Sequence, residues 1–327
     1  MNANTPNIHF PRLLGDVGGT NARFAWQQER GAGLTDIAIY PCADHESLPS
    51  AMQHYLRMHG KAAPRWCAIG IANPVVGDHV QMTNHHWSFS IEAVRVALGL
   101  ERFLVINDFT ALALSLPALL PSELIQVGGG SPVAGAPLAL IGAGTGLGVS
   151  GLLPGNAKRA SVPLSGEGGH VTLGGVTDLE DALVRHLRER FGHASAERAL
   201  SGPGLVNLYE ASCALAGASA QRLTAAEISA MALANADPMC VQAVDVFLSL
   251  LGTVAGNLAL SLGALGGVYV GGGIVPRLRT RMQTSDFRAR FEGKGRFRDY
   301  MAAIPVYLIS AEQSPALIGA SRALDEL

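Results

Sequence analysis

Charge is scarce in this chain. Asp, Glu, Lys and Arg together make up 15% of its 327 residues and nearly cancel, leaving a formal net charge of −2. A protein whose main partner is nucleic acid carries a basic face, so the composition points instead to a soluble protein with a small-molecule partner. Cysteine is rarer still. Cys42, Cys67, Cys213 and Cys240 lie far apart with no C-x-x-C spacing, which argues against a disulfide framework and against a zinc site. Residues 1 to 11 are polar and lack an apolar signal core, so a cytoplasmic location is expected. Two nucleotide signatures are missing as well. There is no G-x-x-x-x-G-K-[ST] P-loop, and a G-x-G-x-x-G read from Gly142 finds Leu147 where its last glycine must stand.

One long run, Phe247 to Pro276, has no charged residue at all and exceeds the length of a transmembrane helix. Glycine breaks it. Gly263, Gly266 and Gly267 divide it into a helix ending near Leu262 and a short strand, Val268-Tyr269-Val270. A buried helix followed by a buried strand is therefore expected, with no membrane span.

What the chain has in quantity is glycine, 39 residues in tight groups between apolar runs, and enough hydrophobic content, 48%, to fill the cores of two domains. Leu13 to Val17 reads as a strand, Gly18-Gly19-Thr20-Asn21 as a turn and Phe24-Ala25-Trp26 as a second strand: a hairpin. Its turn offers backbone N–H groups to an anion, and Asp16 beside it is able to hold a hydrated Mg²⁺. The arrangement returns at Leu138 to Leu153 around Gly142-Ala143-Gly144-Thr145-Gly146-Leu147-Gly148, which suggests a duplicated domain. A third glycine element, Gly266 to Pro276, reads as strand, turn and a helix starting near Pro276. It suits the adenosine end of a nucleotide, or equally the tight packing of helix on strand. Together the three favour a phosphate-bearing ligand.

The apolar run Phe103 to Ile106 reads as a buried strand that stops at Asn107-Asp108 before the helix-like Ala111 to Leu114. Asp108 thus sits at the carboxyl end of a strand, where α/β proteins bind ligands, and is a candidate general base. The plainer alternative is that Asp108 caps the helix. Pro163 to Val171 is a polar loop in which Glu167 and His170, flanked by small residues, offer an acceptor and a donor to a hydroxyl-rich ligand. A helix from Leu179 to Phe191 leads to Ser195, a possible cap, with Glu197 in the following first turn, where a carboxylate also suits the helix dipole. Residues 212 to 242 read as peripheral helices without chemistry, the basic stretch Arg277 to Arg298 as a solvated face, and Ser314 to Leu327 as a last helix.

Assembled, these pieces resemble the bacterial glucokinases of the hexokinase type, within the superfamily of sugar kinases, actin and Hsp70 ATPases. The resemblance rests on G-D-V-G-G-T-N-A-R at Gly15 to Arg23, M-T-N-H-H-W-S-F-S at Met82 to Ser90 and I-N-D-F-T-A at Ile106 to Ala111. It continues with G-A-G-T-G-L-G at Gly142 to Gly148, L-S-G-E-G-G-H-V at Leu164 to Val171, S-A-E-R-A-L-S-G-P-G at Ser195 to Gly204 and G-G-V-Y-V-G-G-G-I-V-P-R at Gly266 to Arg277. It implies an α/β, two-domain, actin-like (ribonuclease H-like) fold: a small domain of residues 1–118 plus 309–327, a large domain of 119–308, and a cleft between them.

The activity it implies is ATP-dependent phosphorylation of D-glucose to glucose 6-phosphate, with Asp108 as the catalytic base. Asn107, Glu167, His170 and Glu197 would hold glucose hydroxyls. ATP would lie on Gly15, Asp16, Val17, Gly18, Gly19 and Thr20, on Gly144, Thr145 and Gly146, and on Gly271 and Gly272. Mg²⁺ would be held by Asp16 through water, and the enzyme would be a homodimer. The chain departs from the related ROK kinases and repressors, since no cysteine stands near His170 and no helix-turn-helix segment precedes the first hairpin. The competing readings are a kinase for another hexose such as N-acetylmannosamine, a polyphosphate-dependent kinase, a sugar sensor without turnover, and a chaperone or filament ATPase. Asp108 beside two phosphate hairpins argues against the sensor, and the polyol-binding residues argue against the last.

Overall fold

The computed structural model describes residues 9–83 and 85–327. Most of the polar N-terminal stretch, and Asn84 of the Met82 to Ser90 motif, lie outside the described residues. The chain divides into two compact units, one of Met1–Leu119, Gly155–Ser165 and Ala311–Leu327, the other of Leu120–Pro154 and Gly166–Ser310. The segment Gly155–Ser165 thus falls with the first unit, whereas the resemblance assigns it to the large domain.

The first unit is built on strands β1 (Arg12–Val17), β2 (Asn21–Gln27), β3 (Thr35–Pro41), β4 (Trp66–Ile71) and, after a small hairpin of β5 (His79–Gln81) and β6 (Ser88–Ser90), β7 (Arg102–Asn107). They form a sheet in the order β3-β2-β1-β4-β7, with β1, β4 and β7 parallel and the other two antiparallel. Alternation along β1 sends Leu13 and Val17 to one face, where they join Phe24, Tyr55, Ile69 and Trp87. Leu14 goes to the other face. There it meets Ala25, Ala68 and the apolar side of the C-terminal helix, Pro315–Glu326, through Leu317, Ala320 and Leu324. Arg12, fully buried, ties that helix down: its guanidinium donates to Asp325 at 2.6 Å and to the Ser321 carbonyl at 3.3 Å and lies over the Phe10 ring. A buried charge without such partners would be strongly destabilising.

Helices α1 (Leu48–Met58), α2 (Ile91–Ala97) and α3 (Asp108–Ser115) complete this unit. The last starts directly from β7.

The second unit contains β8 (Leu124–Gln126), β9 (Leu138–Ala143) and β10 (Leu147–Leu153). The chain then runs through β11 (Val162–Gly166), where it passes from one unit to the other, to β12 (Val268–Gly271) and β13 (Val306–Ile309). Within this unit the strands are ordered β10-β9-β12-β13-β8, and β9, β12 and β13 are parallel. Helices α4 (Asp178–Phe191), α5 (Gly202–Leu215), α6 (Ala225–Leu233) and α7 (Pro238–Leu262) enclose the core.

The charge-free run is resolved as a buried helix and a buried strand. The helix is longer than its glycine punctuation suggests, because Asp237 caps it by accepting from the Cys240 amide at 2.8 Å and Pro238 fits its first turn. Gly263, at φ 60°, ends it in the left-handed region that glycine adopts without strain. Of its most apolar window 72% is buried within the protein, as befits a core helix.

The basic stretch is not uniformly solvated, and the expectation needs correcting. Arg290 pairs with the buried Glu180, Arg288 donates to the Ile304 and Ala302 carbonyls at 3.0 and 2.9 Å, and Lys294 donates to the Thr253 carbonyl and Asn257 Oδ1 at 3.0 and 2.7 Å. Arg296 and Arg298 do face solvent. The reason is backbone contact: at Gly252 a Cβ would lie 2.2 Å from the Phe287 carbonyl oxygen, so this segment lies directly on α7.

Candidate active site

In the first unit the parallel strands place their carboxyl ends along one sheet edge. Register pairs Val17 with Ile71 and Ile71 with Asn107, which puts the β1–β2 turn two strands, roughly 10 Å, from the end of β7. Gly18 to Thr20 form that turn, closed by the Gly18 amide on the Asn21 carbonyl at 2.9 Å. Thr20 is exposed and Val17 buried, so a ligand meets backbone and the Thr20 hydroxyl rather than an apolar side chain. Gly15 is a packing position, since a Cβ there would lie 2.3 Å from Ile69 Cδ1.

Cys42 braces the turn from below. Its thiol lies 3.4 Å from the Gly18 carbonyl and its amide donates to the Thr20 carbonyl at 2.8 Å. Burial pushes the thiol pKa up, which keeps it a donor. Asp16 accepts from the Ser314 hydroxyl at 2.7 Å and from Arg23 at 3.4 Å, both on Oδ2.

At the end of β7 the cap is Asn107, not Asp108. Asn107 has extended backbone, and its Oδ1 accepts from the Phe109 and Thr110 amides at 2.9 and 3.2 Å. Asp108 is therefore the first helical residue, at the positive end of the helix dipole. Its Oδ1 accepts from the Phe109 amide at 2.9 Å. Capping uses the Asn107 oxygen, and its Nδ2 lies 3.4 Å from the Asn73 carbonyl, so any sugar contact it makes is as a donor. Thr110, buried in the same turn, shares a hydrogen bond of 2.9 Å with Ser165.

In the second unit three segments converge on the β9–β10 turn. The turn itself, Gly144 to Gly146, is closed by the Gly144 amide on the Gly146 carbonyl at 2.8 Å, and Thr145 is exposed at its tip. The loop carrying Glu167 and His170 forms a tight helical turn, Gly168–His170, that lies flat on β10. Only glycine permits this approach. A Cβ at Gly169 would lie 2.2 Å from the Leu147 carbonyl oxygen, and one at Gly168 2.7 Å from Val149 Cγ1. Glu167 and His170 both remain exposed. Beyond them Thr172 pairs with Ser195 as an isolated bridge, which brings in Glu197 on the turn Ala196–Arg198. Glu197 Oε2 accepts from the Leu147 amide at 2.8 Å, and the Gly202 amide donates to the Gly144 carbonyl at 2.8 Å. Ser195 makes no side-chain cap to this turn. Gly271 ends β12 opposite Gly142, and Gly272, at φ 85°, packs so tightly on Ala143 that a Cβ would meet its carbonyl oxygen at 2.3 Å. The chain then forms a short helical turn, Val275–Leu278, before any α-helix.

Beside the β9–β10 turn lies a cavity of about 530 Å³, lined by Gly144, Thr145, Pro203, Ala226, Ala230, Leu233, Ile274 and Arg277, with Ala225 and Ser229. The cavity involves two stretches to which the sequence reading gave no site role. The alanine-rich stretch, expected to be free of chemistry, supplies α6, one wall of the cavity; its small residues leave the space, and nothing in their spacing alone distinguishes that from a packing face. Arg277 also reaches the lining and is itself exposed, in keeping with the solvated face expected of it.

Two α/β units of this topology, each with a glycine hairpin, have the architecture of the actin-like ATPase fold, to which sugar kinases belong. A ROK hexokinase from Thermus thermophilus, 18% identical, shares that fold with a TM-score of 0.65 over 97% of this chain and 99% of its own. A glucokinase from an Antarctic psychrotroph superposes with a TM-score of 0.87 at 37% identity, covering 97% of this chain and 99% of that one. In sequence, the glucokinase of Aromatoleum aromaticum is 57% identical over 97% of this chain and 95% of its own length. That of Neisseria meningitidis is 49% identical over 99% and 98%. The glucokinase family model matches residues 13–327. The chain belongs to the glucokinase family, and it is an ATP-dependent kinase that phosphorylates glucose.

Proposed function

We propose that the phosphoryl transfer uses Asp108 as the base for the 6-hydroxyl of glucose, with Glu167, His170 and Glu197, and Asn107 as a donor, holding the remaining hydroxyls. The observation that carries this is the register of β1, β4 and β7, which sets Asp108 at the same sheet edge as the Gly18 to Thr20 turn. A base has to stand near, but not on, the phosphate site. Phosphoryl transfer has a loose transition state, so positioning and charge stabilisation supply most of the catalysis. Carboxylates suit the sugar because each accepts from two neighbouring hydroxyls, and a missing hydroxyl leaves a buried acceptor unpaired.

The two hairpins take the triphosphate through backbone N–H groups and the Thr20 and Thr145 hydroxyls. The nucleobase occupies the cavity against α6, whose apolar lining suits a flat aromatic ring. Among the described residues no group of three or more His, Cys, Asp or Glu is arranged for a metal. Mg²⁺ keeps several of its waters and binds through one or two carboxylates plus phosphate. Asp16 would hold it through water, Ser314 and Arg23 fixing the carboxylate, and the ion would neutralise charge on the phosphates. The same reading makes the enzyme a cytoplasmic homodimer, which light scattering on purified protein and cell fractionation test.

Asp108→Asn is the decisive variant. With Mg-ATP and glucose, kcat falls by about two orders of magnitude or more while glucose binding persists. Turnover near the wild-type rate would remove Asp108 from the role of base.

A further inference from the structure

The β9–β10 turn and the chain around Glu197 are clasped at two points, Leu147 amide to Glu197 Oε2 and Gly202 amide to Gly144 carbonyl, each 2.8 Å. Between them, Gly146 matters for what it lacks. A Cβ there would lie 2.5 Å from Glu197 Oε2 and 3.3 Å from its Cδ. Unbonded carbon and oxygen do not approach so closely, so any side chain at position 146 requires the Glu197 carboxylate to move from the place in which it accepts from the Leu147 amide. Gly144, on the same turn, has nothing within 4 Å of its Cβ position. Neither glycine has positive φ, so alanine suits the backbone at both.

Resting on the reading of Glu197 as a glucose contact, we propose that Gly146 is a positioning residue for the sugar. The turn that cradles phosphate also seats the carboxylate that holds glucose. The carboxylate is thereby preorganised. Its Oε2 is partly committed to the Leu147 amide, which restrains the side-chain rotamer. A displaced Glu197 regains rotamer freedom that glucose must remove again on binding. If Gly146 served nucleotide alone, its substitution would raise the KM for ATP and leave glucose binding to the nucleotide-free enzyme untouched.

The test is calorimetric titration of glucose into the nucleotide-free, full-length protein and its variants Gly146→Ala, Gly144→Ala and Glu197→Gln. Gly146→Ala is expected to weaken glucose by about tenfold or more, comparable to Glu197→Gln. Gly144→Ala should stay within about twofold of wild type, and adding Glu197→Gln to Gly146→Ala should cost no more than about twofold further, since both remove one interaction. Wild-type glucose affinity in Gly146→Ala alongside a weakened Glu197→Gln would overturn the positioning role and leave Glu197 as a sugar contact. Wild-type affinity in Glu197→Gln would instead remove Glu197 from the sugar site, and the positioning role with it. A variant-free check guards against misfolding: glucose alone should move the Leu147 amide resonance of the wild-type protein, and a stationary resonance would count against the proposal.

Discussion

A glycine on the C-terminal helix governs the helix that carries Asp108. Gly319 lies on the C-terminal helix, which packs on α3, and a Cβ at that position would stand 1.6 Å from the Ala111 carbonyl oxygen and 2.5 Å from its carbon. Ordinary contact between such atoms is about 3.3 Å, so Gly319→Ala forces the two helices apart by roughly 1.5 Å. The obstacle is backbone, so no change of rotamer relieves it. In an exposed helix the same substitution would add about 1 kcal/mol of stability through propensity. Here overpacking, about 3 kcal/mol or more against an unyielding carbonyl, outweighs that gain and leaves a net loss of about 2 kcal/mol.

Ala111 is one turn from Asp108 on the same face of α3. A displacement of this size at a catalytic group costs on the order of a hundredfold in rate. Gly319→Ala should therefore lower Tm by roughly 4–8 °C and depress kcat far more than it changes the dissociation constant for glucose. Scanning calorimetry and steady-state kinetics on one preparation read both. A Tm equal to or above wild type would mean that the helices separate at no cost and would refute the packing argument.

The remaining expectations are simpler. Ala230→Leu fills the cavity beside Thr145 and should raise the KM for ATP by about tenfold while calorimetry finds glucose affinity unchanged; a normal KM for ATP would move the nucleobase elsewhere. Glu167→Gln should raise the KM for glucose by about tenfold, and an unchanged KM would take this exposed residue out of the sugar site. Arg290→Ala removes the counter-charge of the buried Glu180 carboxylate, which retains the Val176 amide as a donor, and should destabilise by about 3 kcal/mol in chemical denaturation. Denaturation at the wild-type midpoint would show that the pair is dispensable.

Strand ends and hairpins were legible in the sequence because their signals are local. An apolar β-branched run stopping at Asn107-Asp108, or a glycine cluster between two such runs, fixes a strand and a turn without reference to anything distant. The division of labour between Asn107 and Asp108 was not legible, since either residue type caps helices well; only the backbone angles assign the cap to Asn107. The cavity was hidden for a different reason. Ala226 and Ala230 are small, apolar and helical, and that pattern is the same whether a neighbouring helix or a ligand lies against it. The paired arginines of residues 277–298 escaped notice because their partners, Glu180, Thr253 and the carbonyls of Ala302 and Ile304, come from other elements.

Glycine shows most clearly where local reading stops. Its clusters mark places where backbone must approach something closely, but sequence does not say whether that something is ligand or protein. At Gly272, Gly169 and Gly146 the space a side chain would take is already filled, by the Ala143 carbonyl, the Leu147 carbonyl and the Glu197 carboxylate. At Gly144 and Gly273 it is open, and both line the cavity. On the proposed function a nucleotide meets the backbone at these open positions, while the filled ones hold the surrounding segments in register. Alanine at Gly144 or Gly273 should therefore act on nucleotide affinity with little change in Tm. At Gly169 or Gly272 the same substitution has protein backbone to displace and is felt first as lost stability.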